Sequence, residues 1–425
     1  MELAEIYQLF SASSGVCTDT RKITDGCIFF ALKGASFNGN AFAKDALAKG
    51  ASYAVVDEEQ FAGIEKAILV EDVLECLQKL ANLHRKTLGF TIVGITGSNG
   101  KTTTKELAYR VLSQKYETAS TPGNFNNHIG VPLTLLGIGA ETEMVVLELG
   151  DNHPGEIMEL CQISEPDFGL ITNIGKDHLE GFGSMEANIR AKSELFDHLL
   201  RNGGNVFVNS IDPILKNMSK RFASPIMYGA EGDAHFAQLE SANPFIHYRA
   251  GDTLVKTQMT GAYNFENMMA AIALGQYFEV EEEKIHQAIG SYIPQNNRSQ
   301  WIEKGSNTIL LDAYNANPSS VEAAIESFAQ LETDKEKVLI LGDMFELGSI
   351  SQSEHQNMVA LAKQQGFAKL IFCGNLYYEQ KNKDDLFFPK REELERFILK
   401  NPFENTCFLL KGSRGMALEK LVEVI

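Results

Sequence analysis

The sequence predicts an α/β protein of three domains, and three observations carry that expectation. Its 425 residues amount to roughly three domains at about 150 residues each. From residue 91 onward, short apolar runs alternate with helical periodicities, the rhythm of parallel βαβ units with helices on both sheet faces. After residue 298 that rhythm starts again. The expected division is residues 1–84, 85–297 and 298–425: a small N-terminal α/β domain followed by two doubly wound sheets.

Taken in order, residues 27–32, 53–56 and 67–70 read as short strands among helical stretches at 42–49 and 73–84. Residues 86–90 read as a short linker. Strands are then expected at 91–96, 144–149 and 168–172, with helices from Lys101 and over 185–200. The last third repeats the pattern, with strands at 308–311, 337–341, 369–373 and 407–410. Its helices fall at 319–331, 353–365 and 392–399, and a closing helix is expected over 416–424. This last unit reads as Rossmann-like.

Composition excludes several classes. With 44% hydrophobic and 22% charged residues the chain has the make-up of a soluble globular protein. A net charge of −18 repels phosphate backbones, so no nucleic-acid partner is expected. No apolar run approaches the roughly 20 residues of a membrane span. The opening Met1–Phe10 stretch lacks the basic start and apolar core of a signal peptide, and a cytoplasmic location is expected. Six scattered cysteines with no C-x-x-C pair suit buried free thiols in a reducing compartment.

The sharpest local signal is Gly97-Ser98-Asn99-Gly100-Lys101-Thr102-Thr103, placed between a strand and a helix. Glycines let backbone N–H groups face an anion, and the helix N-terminus adds partial positive charge. This predicts a P-loop-type central domain that binds a nucleoside triphosphate. Lys101 would reach the β/γ-phosphates and the Thr102 hydroxyl would bind Mg²⁺. The loop is one glycine short of the usual pattern, because Ile95 stands at its first position.

Two further residues follow strand ends on the crevice side. Glu148 closes the strand 144–149 and suits a metal, and His178 follows the strand 168–172. On the helix 185–200, Met185, Ile189, Phe196 and Leu199 form one apolar stripe, and Lys192 lies on it. Such a lysine either snorkels to solvent or is desolvated into a nucleophilic amine.

Together these residues resemble the Mur ligases, the ATP-dependent amide-forming enzymes of peptidoglycan precursor synthesis. The shorter phosphate loop is that family's form. Further matches are Asp19-Thr20-Arg21, the run from Ile28 to Gly34, and the stretch from Gly123 to Thr134 that holds Asn124, Asn126 and Asn127. His178 to Gly183, Asp312 to Pro318, Leu341 to Gly348 and Lys411 to Gly415 complete the set. No Asn-Pro-Arg-type motif of the diaminopimelate-adding member is present, which favours the member that adds D-alanyl-D-alanine to UDP-N-acetylmuramoyl-tripeptide.

The resemblance implies roles. Lys192 would become carbamylated by CO₂, and the carbamate, Glu148, His178 and Thr102 would hold Mg²⁺. Asn264 and Asn267, three apart on one helix face, would meet the adenine of ATP. Arg298 would contact the γ-phosphate and Asp312 the ribose. Asp19, Thr20, Arg21, Lys33 and Gly34 would bind the UDP-sugar. Tyr314, Asn315, Asn317, Lys411 and Arg414 would join Asn124, Asn126 and Asn127 on the substrate side. A monomer is expected. The rival readings are a folylpolyglutamate-type or other Mur ligase, and a P-loop regulatory ATPase that makes no amide.

Overall fold

The computed structural model describes residues 1–425, with Leu179 described by its backbone alone. Three α/β units follow one another. The first carries a four-stranded parallel sheet in the order Val16–Cys17, Ile28–Phe30, Tyr53–Val56, Ala67–Leu69. The Lys33–Gly34 and Phe37–Asn38 strands form a small hairpin beside it.

The central unit is a six-stranded parallel sheet in the order Ile226–Tyr228, Asn205–Asn209, Phe168–Ile171, Thr91–Thr96, Met144–Glu148, Thr118–Ser120. The Thr91–Thr96 strand is buried at five of its six residues, as befits a parallel strand covered on both faces. The third unit orders its strands Gln300–Lys304, Asn307–Asp312, Thr406–Lys411, Glu336–Gly342, Lys369–Cys373, Leu386–Phe388, all parallel except the first. The α/β class and the doubly wound character of both large sheets agree with expectation.

Four local features differ. No linker interrupts residues 86–88, because the helix Val73–Leu88 runs through them to Gly89, whose φ of +72° ends it. Its buried stripe of Leu77, Leu80, Ala81 and His84 ends where apolar periodicity was read as ending, and the half-buried Leu88 packs against the same core one turn further on. The closing segment is not one α-helix. It forms two 3₁₀ turns, Arg414–Met416 and Leu418–Glu423, separated by Ala417 in the left-handed region at φ +50°. The antiparallel sheet of Gln238–Ala242, Phe245–Ala250 and Thr253–Thr260 is also new, although Phe245–Ala250 alternates buried and half-buried as an antiparallel strand should. Finally, Gln300–Lys304 runs antiparallel at the sheet edge, because a five-residue strand turns straight back through Gly305 into its neighbour.

One apolar core joins the first two units. Phe10, Phe30, Val55, Leu77 and Leu80 pack in the same cluster as Leu135, Val145 and Leu160. The third unit has its own two core layers, one on each face of its sheet.

Candidate active site

The strand Thr91–Thr96 lies between Phe168–Ile171 and Met144–Glu148. The chain therefore leaves it in one direction and returns on both sides. That reversal opens a crevice beyond the carboxyl ends of the strands, and residues 97–100 sit in it. Gly97 has φ +137° and Gly100 +82°. A Cβ on Gly97 would lie 2.1 Å from Thr172 Oγ1, and one on Gly100 would lie 2.3 Å from Asn267 Oδ1. Both glycines are thus required by conformation and by close approach. The helix Lys101–Leu112 then begins, aiming its N-terminus into the crevice.

The Lys101 ammonium curls back on its own loop, donating to the carbonyls of Gly97 and Ser98. Burial pushes its amine below the usual lysine range, and the charge of Lys192 adds to that; Asp177, Asp151 and Glu148 oppose it. Such a cation, with no carboxylate within ion-pairing distance, is poised to meet an incoming anion.

Lys192 is fully buried, which settles the alternative left by the stripe in favour of desolvation. Its ammonium donates to both carboxylate oxygens of Asp151, at 2.9 and 3.1 Å, and lies 3.3 Å from Asp177 Oδ2. The Phe182 ring lies 5.2 Å from the ammonium. Asp177 Oδ1 accepts from the Ser98 hydroxyl and from Asn188 Nδ2. Burial pushes the Asp177 carboxyl up, but the charges of Lys192 and Lys101 and these two hydrogen bonds outweigh it and hold it below the usual carboxylate range. Sequence reasoning missed both aspartates. Asp151 had a findable signal, since it stands three residues after Glu148 at the same strand end.

A cavity of about 720 Å³ spans the crevice and the facing unit. From the central side it is lined by residues 98–103 of the loop, by Asn124, Asn126, Asn127 and Glu148, and by His178, Asn264 and Asn267. From the far side come Arg298, Asp312, Tyr314, Asn315, Asn317, Lys411 and Arg414. The parallel register sets Asp312 opposite Lys411 at neighbouring strand ends, and the two pair at 2.8 Å. Arg298 stacks 3.7 Å from the Tyr314 ring centroid, and Arg414 lies 5.1 Å from the same ring. The Arg298 Nε is buried without a partner.

Asn264 and Asn267 share a face as expected: Asn267 Nδ2 donates to Asn264 Oδ1 at 2.9 Å. Asn264 also reaches Ser299 Oγ at 3.0 Å, tying this helix to the start of the third unit. His178 Nδ1 pairs with Glu346 at 2.6 Å across the junction, a partner that sequence did not suggest.

Other expected residues lie away from this cavity. Gly97 shapes the loop from behind it, and Lys192 lies beneath Asp151, outside the lining. Asp19 and Arg21 pair with each other at 2.8 Å on the surface of the first unit. Lys33 pairs with Asp57 at 3.0 Å. Thr20 and Gly34 stand in the same unit, next to these in sequence.

Among the described residues, no cluster of three or more His, Cys, Asp or Glu is arranged as a metal cage. Mg²⁺ does not need one, because it takes one or two carboxylates plus phosphate oxygens and water. Asn126 Nδ2 holds Glu148 Oε1 at 2.9 Å, and Glu148 Oε2 is buried with no partner. An orphaned carboxylate oxygen on a residue that shares one cavity lining with Thr102 fits that ion.

Comparison with known proteins accords with this arrangement. Three family descriptions match the chain in succession: "Mur ligase family, catalytic domain" over residues 13–85, "Mur ligase middle domain" over 95–275, and "Mur ligase, glutamate ligase domain" over 297–414. The UDP-N-acetylmuramoyl-tripeptide--D-alanyl-D-alanine ligase of Bacillus subtilis is 34% identical over 96% of this chain and 92% of its own length. The Escherichia coli protein of the same name is 32% identical over 96% and 93%. Among solved structures, MurF from Acinetobacter baumannii superposes with a TM-score of 0.88 at 29% identity, covering 98% of this chain and 97% of that one. MurF ligase from Thermotoga maritima, in complex with ADP, gives 0.86 at 26% identity with the same coverage. With its loop, its three-unit order and these relatives in agreement, the chain belongs to the Mur ligase family.

Proposed function

We propose that this chain is an ATP-dependent ligase that joins D-alanyl-D-alanine to UDP-N-acetylmuramoyl-tripeptide, as a cytoplasmic monomer, in peptidoglycan precursor synthesis. The observation that carries the reading is the shared cavity, into which Lys101 and Thr102 face from one unit and Arg298, Asp312 and Lys411 from another. A carboxylate and an amine do not condense at neutral pH, because oxide is a very poor leaving group. The tripeptide carboxylate therefore attacks the γ-phosphorus in line, forming a C–O–P acyl phosphate and releasing ADP. The dipeptide amine then attacks the acyl carbon, the C–O bond to phosphate breaks, and the amine proton passes to solvent. Charge spreads over phosphoryl oxygens in the first step, and Lys101 and Arg298 are the cations placed to meet it.

Magnesium would be held by Thr102, Glu148 and His178, with the carbamate on Lys192 that the family resemblance implies, and would supply further charge neutralisation on the phosphates. Asn264 and Asn267 would form the adenine floor, and Asp312 would bond the ribose. Asn315, Asn317, Lys411 and Arg414 face the dipeptide side, with Asn124, Asn126 and Asn127 toward the muramoyl-tripeptide. Asp19, Thr20, Arg21, Lys33 and Gly34 would take the UDP-sugar. In this reading residues 1–84 grip the nucleotide-sugar, 85–297 hold ATP, and 298–425 close over both, excluding water from the acyl phosphate.

Phosphate release tests it. ATP with UDP-muramoyl-tripeptide should turn over steadily only when D-alanyl-D-alanine is added. Equal release with neither substrate would overturn the reading and favour a regulatory ATPase.

A further inference from the structure

The phosphate loop has two permissive joints. Gly97 and Gly100 both lie in the left-handed region, so the Ser98–Asn99 pair between them has little conformational preference of its own and must be held from outside. The central unit supplies part of that hold from the end of the strand Phe168–Ile171. The Asn99 N–H donates to Asn173 Oδ1 at 3.0 Å, and the Asn99 carbonyl accepts from Thr172 Oγ1 at 2.6 Å and from Asn173 Nδ2 at 3.1 Å. The Ser98 N–H donates to the Asn173 carbonyl at 2.9 Å. Both backbone groups of Asn99 are thus taken up within the central unit, which leaves its side chain.

The third unit meets that side chain. Asn317 Nδ2 donates to Asn99 Oδ1 at 2.8 Å, and among the described residues this is the phosphate loop's hydrogen bond to that unit. Local structure aims the donor. Asn317 caps the helix Pro318–Gln330: its Oδ1 accepts from the Ser320 N–H at 2.9 Å, and its own N–H donates to Ser320 Oγ at 3.1 Å. With Oδ1 committed to the cap, the amide nitrogen is the atom left to face Asn99. Two residues on, Ser319 Oγ accepts from the Lys176 N–H at 3.0 Å. The start of this helix is therefore seated both on the phosphate loop and on the segment that holds the loop.

We infer that Asn317 is a positioning residue for phosphoryl transfer: closure of the third unit brings its amide onto Asn99 and braces the phosphate loop that carries Lys101 and Thr102. Asn317 stands on the dipeptide side of the cavity, yet its amide serves the loop. This deepens the ligase reading and rests on it.

The test compares two caps. Serine is as good an N-cap as asparagine, but its hydroxyl is too short to reach Asn99, so Asn317→Ser keeps the helix and loses the brace. With both substrates present, kcat for phosphate release should fall about 5- to 10-fold, while KM for ATP and for D-alanyl-D-alanine stays within about 2-fold of wild type. Asn99→Ala should lower kcat at least as far, and adding Asn317→Ser to it should lower kcat no further, because the two changes remove one bond. Amide hydrogen exchange gives a readout that needs no turnover. Residues 97–103 should exchange about 3-fold or more faster in ADP-bound Asn317→Ser than in the ADP-bound wild type.

Wild-type kcat in Asn317→Ser, equal exchange in the loop, or losses that multiply in the double variant would each overturn the inference. So would a rise confined to KM for D-alanyl-D-alanine, which would give the amide to the dipeptide. A wild type that makes no amide would sink the ligase reading instead, and the exchange comparison would still judge the brace.

Discussion

The central unit meets its two neighbours through different chemistry. Toward residues 1–84 it shares a continuous apolar core, with Leu77 and Leu80 of the helix Val73–Leu88 packed among Leu135, Val145 and Leu160. Polar bonds only border that seam, as where Asn82 Nδ2 donates to the Ile163 carbonyl at 3.0 Å. Toward residues 298–425 it presents polar groups around the cavity. Lys176 pairs with Glu354 at 2.9 Å, His178 with Glu346 at 2.6 Å, and Asn317 Nδ2 donates to Asn99 Oδ1 at 2.8 Å. An apolar seam gains free energy only while water is excluded, so it holds two units as one body. A polar seam exchanges its bonds for water at little net cost, which suits a junction that opens for substrates and closes for chemistry.

The largest expected effect tests the apolar seam. Leu80→Ala should cost about 2–5 kcal/mol, read from urea unfolding. Residues 1–84 and the central unit should lose structure in one transition. An early transition of the first unit alone, with the second unmoved, would break the comparison.

Next comes Arg298, where the third unit begins. Arg298→Ala should lower kcat about 10- to 100-fold at saturating ATP with little change in KM, because its cation is needed once the cavity has closed. A pure rise in KM for ATP would assign it to binding and leave closure without its link to chemistry.

A smaller effect is expected across the polar seam. Glu354→Gln removes the partner of the half-exposed Lys176 and should change stability by less than about 1 kcal/mol. Small-angle scattering should nevertheless show a larger radius of gyration, and 1 M salt should enlarge the wild type in the same direction. No change in either would mean that ion pairs do not govern this seam.

The smallest effect is a pH dependence on the apolar side. Burial raises the Asp57 carboxyl, but bonds from Asn40, Lys33 and the Val73 N–H outweigh it and hold it below the ordinary range. A depressed carboxyl stabilises above its unfolded value of about 4 and loses that contribution as pH falls through its folded value. Asp57→Asn should flatten the acid limb of the stability curve, and an unchanged limb would remove Asp57 from the anchoring of the helix Val73–Leu88.

Much of this was legible from residue order. Gly97 and Gly100 announce the phosphate loop because only glycine tolerates both their φ angles and the closeness of Thr172 and Asn267. The stripe around Lys192 put that residue on the apolar face, because helical periodicity fixes which side chains share a face, and left open whether its amine reached solvent. The run past residue 84 was misread because the buried stripe ends at His84 and the charged Arg85 and Lys86 follow it, leaving only the half-buried Leu88 to mark the last turn. Glu346 lies in the Leu341 to Gly348 stretch that carries the resemblance, but nothing local marks it as the partner of His178, some 170 positions away.

Sequence alone determined the alternation of strand and helix, the phosphate-binding turn, and the family to which the chain belongs, since each is written in residues that lie near one another along the chain. Tertiary structure decided which carboxylates face Lys192, which residues of two units share one cavity, and that one seam is apolar and the other polar. Those are properties of groups far apart in the chain, and local periodicity carries no information about the charge that folding brings to a neighbour's side.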